Sequence, residues 1–346
     1  MRNECDITQY DIIRQLRVPM ITLVVFAHSY SHVAGDFNLL TSDWSTYEFL
    51  KLLVSQTLTK VAVPVFFIIS GYLFFSNVKE WNLIVYRQKI QRRVKTLLIP
   101  YLICNLLMAL KLKAFSWNFF WNYFHKAGNQ IDWFGTEHYL VAPANMPLWF
   151  LRDLIIVSLL TPFIYIGVRR LNFWLIIVLT ILYLSGVCPF IPGLSAYSIY
   201  FFTLGAYIGI RKPNLIETFM HVEVPAYFLS IILGIAMLFT YHTTVFSSLM
   251  LTFRITGAIA VFCLARHFAT KSSSLVFDSA YFIYLVHYIV FLFFIDEAFF
   301  SFFGTSELCL CIHFIFAPLL KVTLFIIIFM IYKLFRKMIA NMICNT

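Results

Sequence analysis

Charge is scarce in this sequence. Only 12% of its 346 residues are Asp, Glu, Lys or Arg, about half of what soluble domains carry, which excludes an ordinary soluble chain. Strict apolar–polar alternation is also lacking, and the continuous apolar runs rule out a transmembrane barrel. The opening MRNECDITQYDII has no apolar core and no small-residue cleavage site. No signal peptide is therefore expected, and the first spanning helix acts as its own insertion signal. A G-x-S-x-G elbow is missing, so no nucleophilic serine triad is expected. The seven cysteines are scattered, with only Cys309 and Cys311 close together. Metal binding needs more ligands at defined spacing, and no metal is expected. A disulfide between Cys188 and one of that pair stays open, provided all three lie outside. Internal repeats, low-complexity tracts and a terminal soluble domain are all missing.

Apolar matter is plentiful: 61% of the residues are hydrophobic, with 39 Phe and 19 Tyr. Runs of about 18 apolar residues recur along the whole chain, the mark of helices that cross a bilayer. The expected fold is all-α, a polytopic membrane protein of about ten transmembrane helices forming one domain over 1–346. The spans fall near 13–34, 52–75, 96–113, 147–168, 171–189, 195–210, 222–241, 245–265, 277–296 and 313–335. With the N-terminus inside, eighteen Lys and Arg fall in inner segments, and only Lys51, Lys111, Lys113 and Lys126 in outer loops. The positive-inside rule then makes both termini cytoplasmic. The net charge of +10 is explained by topology, not by nucleic acid, which is not an expected partner. Two connecting segments are long. The outer one, 114–146, is rich in Trp, Asn and His and is expected along the outer interface. The inner one, 76–95, reads as a basic amphipathic helix that either anchors to anionic lipid or holds a phosphate-rich ligand.

Four cations remain within or at the edges of spans: Lys60, Arg152, Arg254 and Lys321. Each costs a few kcal/mol at the bilayer centre unless paired or hydrated, so each is a functional candidate. Arg152 can pair with a carboxylate, and Lys321 can snorkel. In the first span, RVPMITLVVFAH, Arg17 and His28 are eleven residues apart. At about 100° per residue both leave the same helix face, offset by roughly 20° and by about 16 Å of rise. They mark a track from the cytoplasmic surface to the interior. A desolvated imidazole is neutral, and hence a competent general base. Taken alone, such a histidine is more often a hydrogen-bonding helix contact. His32, one turn on, adds a possible metal pair with no third ligand.

Four stretches occur in a telling order: LRVPMITLVVFAH (16–28), KVAVPVFFIISGYLFF (60–75), PLWFLRDLIIVSLLTPFI (147–164) and FIYLVH (282–287). Over essentially its whole length the sequence resembles the acyltransferase 3 family of integral-membrane acyltransferases, the class that O-acetylates bacterial surface polysaccharides and related glycans. The matching residues are the basic residue and histidine with ten residues between them (Arg17, His28), Pro64 to Tyr72 preceded by Lys60, Pro147 to Leu151, and Ile283 to His287. The family's glycine after the basic residue is absent; Val18 and Pro19 follow Arg17 here, and a proline within the first helical turn is tolerated.

The resemblance implies acyl transfer from cytoplasmic acyl-CoA, acetyl-CoA in the first instance, to a glycan hydroxyl, in the bacterial inner membrane. On that reading His28 is the base or a transient acyl carrier, and Arg17 guides the donor. Arg92, Arg93 and Lys95 hold the CoA phosphates. Lys60, Arg152 or Arg254 stabilises an oxyanion or orients the sugar. Ser70, Tyr72 and Trp149 lie in the matching motifs, while Tyr284 and His287 are second candidates for proton handling. Ser70-Gly71 is expected to allow close approach of helices or substrate. A glycan or lipid-linked-sugar transporter or flippase is the alternative, since it also needs intramembrane charge. A non-catalytic binding protein is a third reading.

Overall fold

The computed structural model describes residues 7–28, 45–111, 129–131, 137–139, 143–186, 193–212, 214–241, 243–271, 275–290 and 293–344. It is almost wholly helical, with one exception. Asn129–Ile131 and Glu137–Tyr139 pair antiparallel, Gln130 opposite His138. This hairpin is the part of the 114–142 segment that is described. Helix is found within each of the ten expected spans, but 147–168 and 277–296 are each divided between two helices. Among the described residues four helices are long and apolar enough to cross a membrane, or five if one bent pair counts as a single span. The protein is membrane-integral and multi-pass.

Sequence punctuation sets many of the helix ends. Asn82 accepts from the Val85 N–H at 2.9 Å, Ser195 from the Ser198 N–H at 3.1 Å, and Asn214 from those of Ile216 and Glu217. Each satisfies a donor that the first turn leaves open. Gly186, at φ 68°, ends the helix Phe173–Ser185 in the left-handed conformation that glycine adopts without strain.

Three local expectations change. The basic helix expected in segment 76–95 is present from Leu83, but it does not end before the next expected span. Helix begins at Leu83 and runs without a break to Lys111, through a π-helical turn, Val94–Leu98. Pro100 follows that turn and lacks the N–H that a regular ladder would use. The span at 147–168 is broken instead of continuous: Trp149–Leu159 and Thr161–Leu171 meet at 63°, and Pro162 sets the new start. Pro19 lies inside the helix Gln9–His28, not in its first turn, because that helix starts earlier than expected.

The chain forms two compact units. Unit 1 comprises residues 1–62 and 267–346, and here Phe314 packs against Tyr47 and Phe26 with ring centroids 6.0 and 5.9 Å apart. Unit 2 comprises residues 63–266. Its centre joins the helix Ala62–Phe75 to Ala196–Arg211 through two glycines. A methyl group on Gly71 would collide with the Phe202 carbonyl, and one on Gly205 with that of Ile68. Small residues at such contacts let backbones touch, the usual way helices associate in lipid. Large apolar side chains such as Leu102, Leu106, Phe228 and Ile231 point outward, as a lipid-facing surface requires.

Candidate active site

In unit 1, His28 is the last residue of the helix Gln9–His28. Its ring lies 5.6 Å from that of His287 and 5.9 Å from that of Tyr288. His287 ends the short helix Ala280–Val286 and is buried. Its Nδ1 lies 2.8 Å from the Tyr284 carbonyl and 3.2 Å from that of Ile283. Carbonyls only accept, so Nδ1 carries the proton and Nε2 holds a lone pair. That Nε2 is buried and has no hydrogen-bond partner among the described residues. Two imidazoles thus meet, one of them with a fixed tautomer and an unused acceptor. Tyr284, also buried, stands 6.1 Å from His287.

Arg17 lies on the same unbroken helix as His28, half-buried, and makes no ion pair among the described residues. One turn earlier, Arg14 grips Asp278 with two bonds of 2.9 and 2.8 Å. Lys60 sits in a 3-10 turn, Leu58–Val61, directly after a π-helical stretch, Leu52–Thr57, close enough to act electrostatically on His28. Irregular helix of this kind often marks functional positions. The helix continues from there into the Pro64–Tyr72 motif.

In unit 2, Arg93 donates to the Ser70 hydroxyl at 2.9 Å and lies over the Phe74 ring at 5.5 Å. Lys89 covers the same ring at 5.1 Å. Arg92 and Lys95 are exposed on the same helix. Tyr72 is fully buried in the packing between helices. Arg152 is neutralised by Asp153, with Nε and Nη2 at 3.2 and 3.1 Å from Oδ1. The other Asp153 oxygen accepts from the Ser195 hydroxyl at 2.9 Å. Trp149 opens the same helix and meets Tyr197 edge-on at 6.2 Å. Arg254 lies over the Tyr197 ring at 5.0 Å, with no carboxylate beside it among the described residues.

The structure therefore gathers His28, His287, Tyr284 and Lys60 in unit 1, and Ser70 with Arg93, and Trp149 with Arg254, in unit 2. Lys321 does not snorkel: it is buried, with both Asp296 oxygens at 3.0 and 2.9 Å. His32 and Cys188 lie outside the described residues, while Cys309 and Cys311 are free thiols. Sequence reasoning allowed Arg152 a carboxylate partner, which is the adjacent Asp153, but missed Asp278 and Asp296, because only the cations in the spans were sought. A search for carboxylates in the same spans finds all three.

Comparison with known proteins gives this arrangement a family. A match to the acyltransferase 3 family, described as an acyltransferase domain, spans residues 10–335. The chain belongs to the acyltransferase 3 family. The matched region takes in His28, Lys60, the Pro64–Tyr72 and Pro147–Leu151 motifs, and His287. The chain is also similar to a succinoglycan biosynthesis protein, ExoH, of Rhizobium meliloti (strain 1021), with 26% identity over 170 residues. That alignment spans 46% of this chain and 43% of the relative, so the chain matches less than half of the relative's length. No solved structure matches.

Proposed function

We propose that this acyltransferase-family protein moves an acyl group, acetyl in the first instance, from cytoplasmic acyl-CoA to a hydroxyl of a cell-surface or lipid-linked glycan. It does so at the bacterial inner membrane, with about ten passes and both termini in the cytoplasm. The observation that carries the reading is the imidazole couple, in which His28 faces a buried His287 whose Nε2 lone pair is unused. Membership of the family supports the acyl chemistry, and the name of the succinoglycan relative supports a polysaccharide acceptor.

The proposed step is a direct transfer. His28 accepts the proton of the acceptor hydroxyl as that oxygen attacks the thioester carbonyl. The tetrahedral oxyanion forms near Lys60, whose charge favours it. The intermediate then collapses, the C–S bond breaks, and the CoA thiolate takes the proton back from His28. His287 accepts a hydrogen bond through Nε2 and so orients the reacting groups, with Tyr284 holding its tautomer through the backbone. Arg17 guides the donor from the cytoplasmic side. The exposed Arg92 and Lys95, with Arg93 anchored on Ser70, supply the charge that suits CoA phosphates.

The test compares surface-glycan ester content in cells with the protein, without it, and with His28→Ala. Ester is expected to vanish in the deletion and to fall about a hundred- to ten-thousandfold in initial rate with His28→Ala. Unchanged ester content in the deletion overturns the reading.

A further inference from the structure

Arg254 is the eleventh residue of the helix Thr244–Phe268, so it lies about 15 Å along an apolar helix. An arginine is always charged, and a cation in such a setting is costly without an anion. The other intramembrane cations show what compensation looks like: Arg152 has Asp153 and Lys321 has Asp296. Arg254 has neither. Among the described residues its Nε is buried without a hydrogen-bond partner, and the hydroxyl of Tyr183, 4% exposed, stands within hydrogen-bonding reach of the guanidinium. The surroundings are aromatic. Tyr197 lies under the guanidinium, Tyr183 is 6.2 Å from Tyr197 and stacked on Tyr200 at 5.0 Å, and Trp149 flanks Tyr197. All of these residues belong to unit 2.

We propose that Arg254, Tyr183, Tyr197 and Trp149 form a binding site for a carboxylate-bearing sugar unit of the acceptor. One guanidinium with one phenolic donor matches a monoanion; a phosphate dianion in so apolar a setting needs more than one cation. With its oxygen turned to Arg254, the Tyr183 hydroxyl still has a proton to donate, and a carboxylate can accept from it and from the Arg254 Nε–H together; charge-assisted bonds are the stronger kind. The aromatic rings give the apolar face of a sugar ring something to lie against while its polar edge reaches Arg254. The assignment rests on the proposed glycan acceptor and narrows it from any glycan to an acidic one. On the proposed orientation the helix runs inward from Thr244, which puts the site in the outer half of the membrane, on the acceptor side.

The test uses the full-length protein in lipid nanodiscs, without acyl donor, and measures binding of methyl β-D-glucuronide against methyl β-D-glucoside by calorimetry. The glucuronide is expected to bind roughly ten- to a hundredfold tighter. Arg254→Gln should abolish that preference, while Tyr183→Phe, which keeps the ring, should reduce it by a few-fold. A thermal midpoint kept by both variants shows that they fold. Equal affinity for the two probes overturns the proposal, as does a preference that survives Arg254→Gln. Acetate binding as tightly as the glucuronide also overturns it, because charge alone would then account for the site. Ester formation on each probe, read separately with acetyl-CoA added, tests the acyltransferase reading: loss of transfer with glucuronide preference intact counts against that reading and not against the site.

Discussion

Two buried histidines of the same unit, His287 and His313, differ in how their polar atoms are satisfied. His313 Nε2 lies 2.9 Å from Asp296, whose carboxylate also takes Lys321, and the ring is held by Phe300 and Phe299 at 4.4 and 5.2 Å. Charge meets charge, and the polar atoms of His313, Asp296 and Lys321 are engaged with one another. Among the described residues His287 is fixed on one side only, by backbone carbonyls, and its Nε2 remains buried with no hydrogen-bond partner. A closed cluster ties helices together, here Phe293–Phe303 to Glu307–Cys344. An open one keeps chemical capacity in reserve, at a cost in stability that a folded protein retains where function needs it.

The sharpest way to break that contrast is to open the closed cluster. Asp296→Ala takes from the buried Lys321 the carboxylate that accepts two of its hydrogen bonds, and should cost about 3–5 kcal/mol of stability in a denaturation titration. Transfer per folded molecule should hold; if activity falls while stability does not, the two histidines have exchanged roles.

Removing the open group should have the converse outcome. His287→Ala is expected to lower the initial transfer rate about a hundredfold with little change in unfolding midpoint, and imidazole added to the assay should restore part of the rate. A stable variant with unaltered kinetics would place His287 among the structural residues.

The smallest effect tests whether the Asp296 cluster needs its charge at all. Replacing both ions, Asp296→Leu with Lys321→Met, should bring stability back to within about 1 kcal/mol of the parent, since apolar packing often substitutes for a buried pair. A double variant as unstable as Asp296→Ala would mean that the ion pair holds a geometry that apolar packing cannot.

Much of the fold was legible because lipid imposes one rule: backbone polar groups must be satisfied within the segment, so long apolar runs become helices. Helix lies within each of the ten expected spans for that reason, although 147–168 and 277–296 are each divided between two helices. The misreadings were local. The break before Pro162 was signalled by its Thr-Pro pair, and the run from Leu83 to Lys111 was obscured by a basic stretch that reads as interfacial. The site was half legible. Arg17 and His28 follow from spacing on one helix. The nearness of His28 to His287, 259 positions later in the sequence, depends on packing and has no local sign.

The sequence by itself determined a helical, multi-pass membrane protein and an ordered set of motifs, because hydropathy and helical period are properties of short windows. Tertiary structure alone decided which charges are spent and which are available. Arg152 and Lys321 look as exposed to cost as Arg254 does in sequence, yet only they meet carboxylates. Compensation is a matter of distance in space, and side chains far apart along the chain reach each other only once the helices have packed.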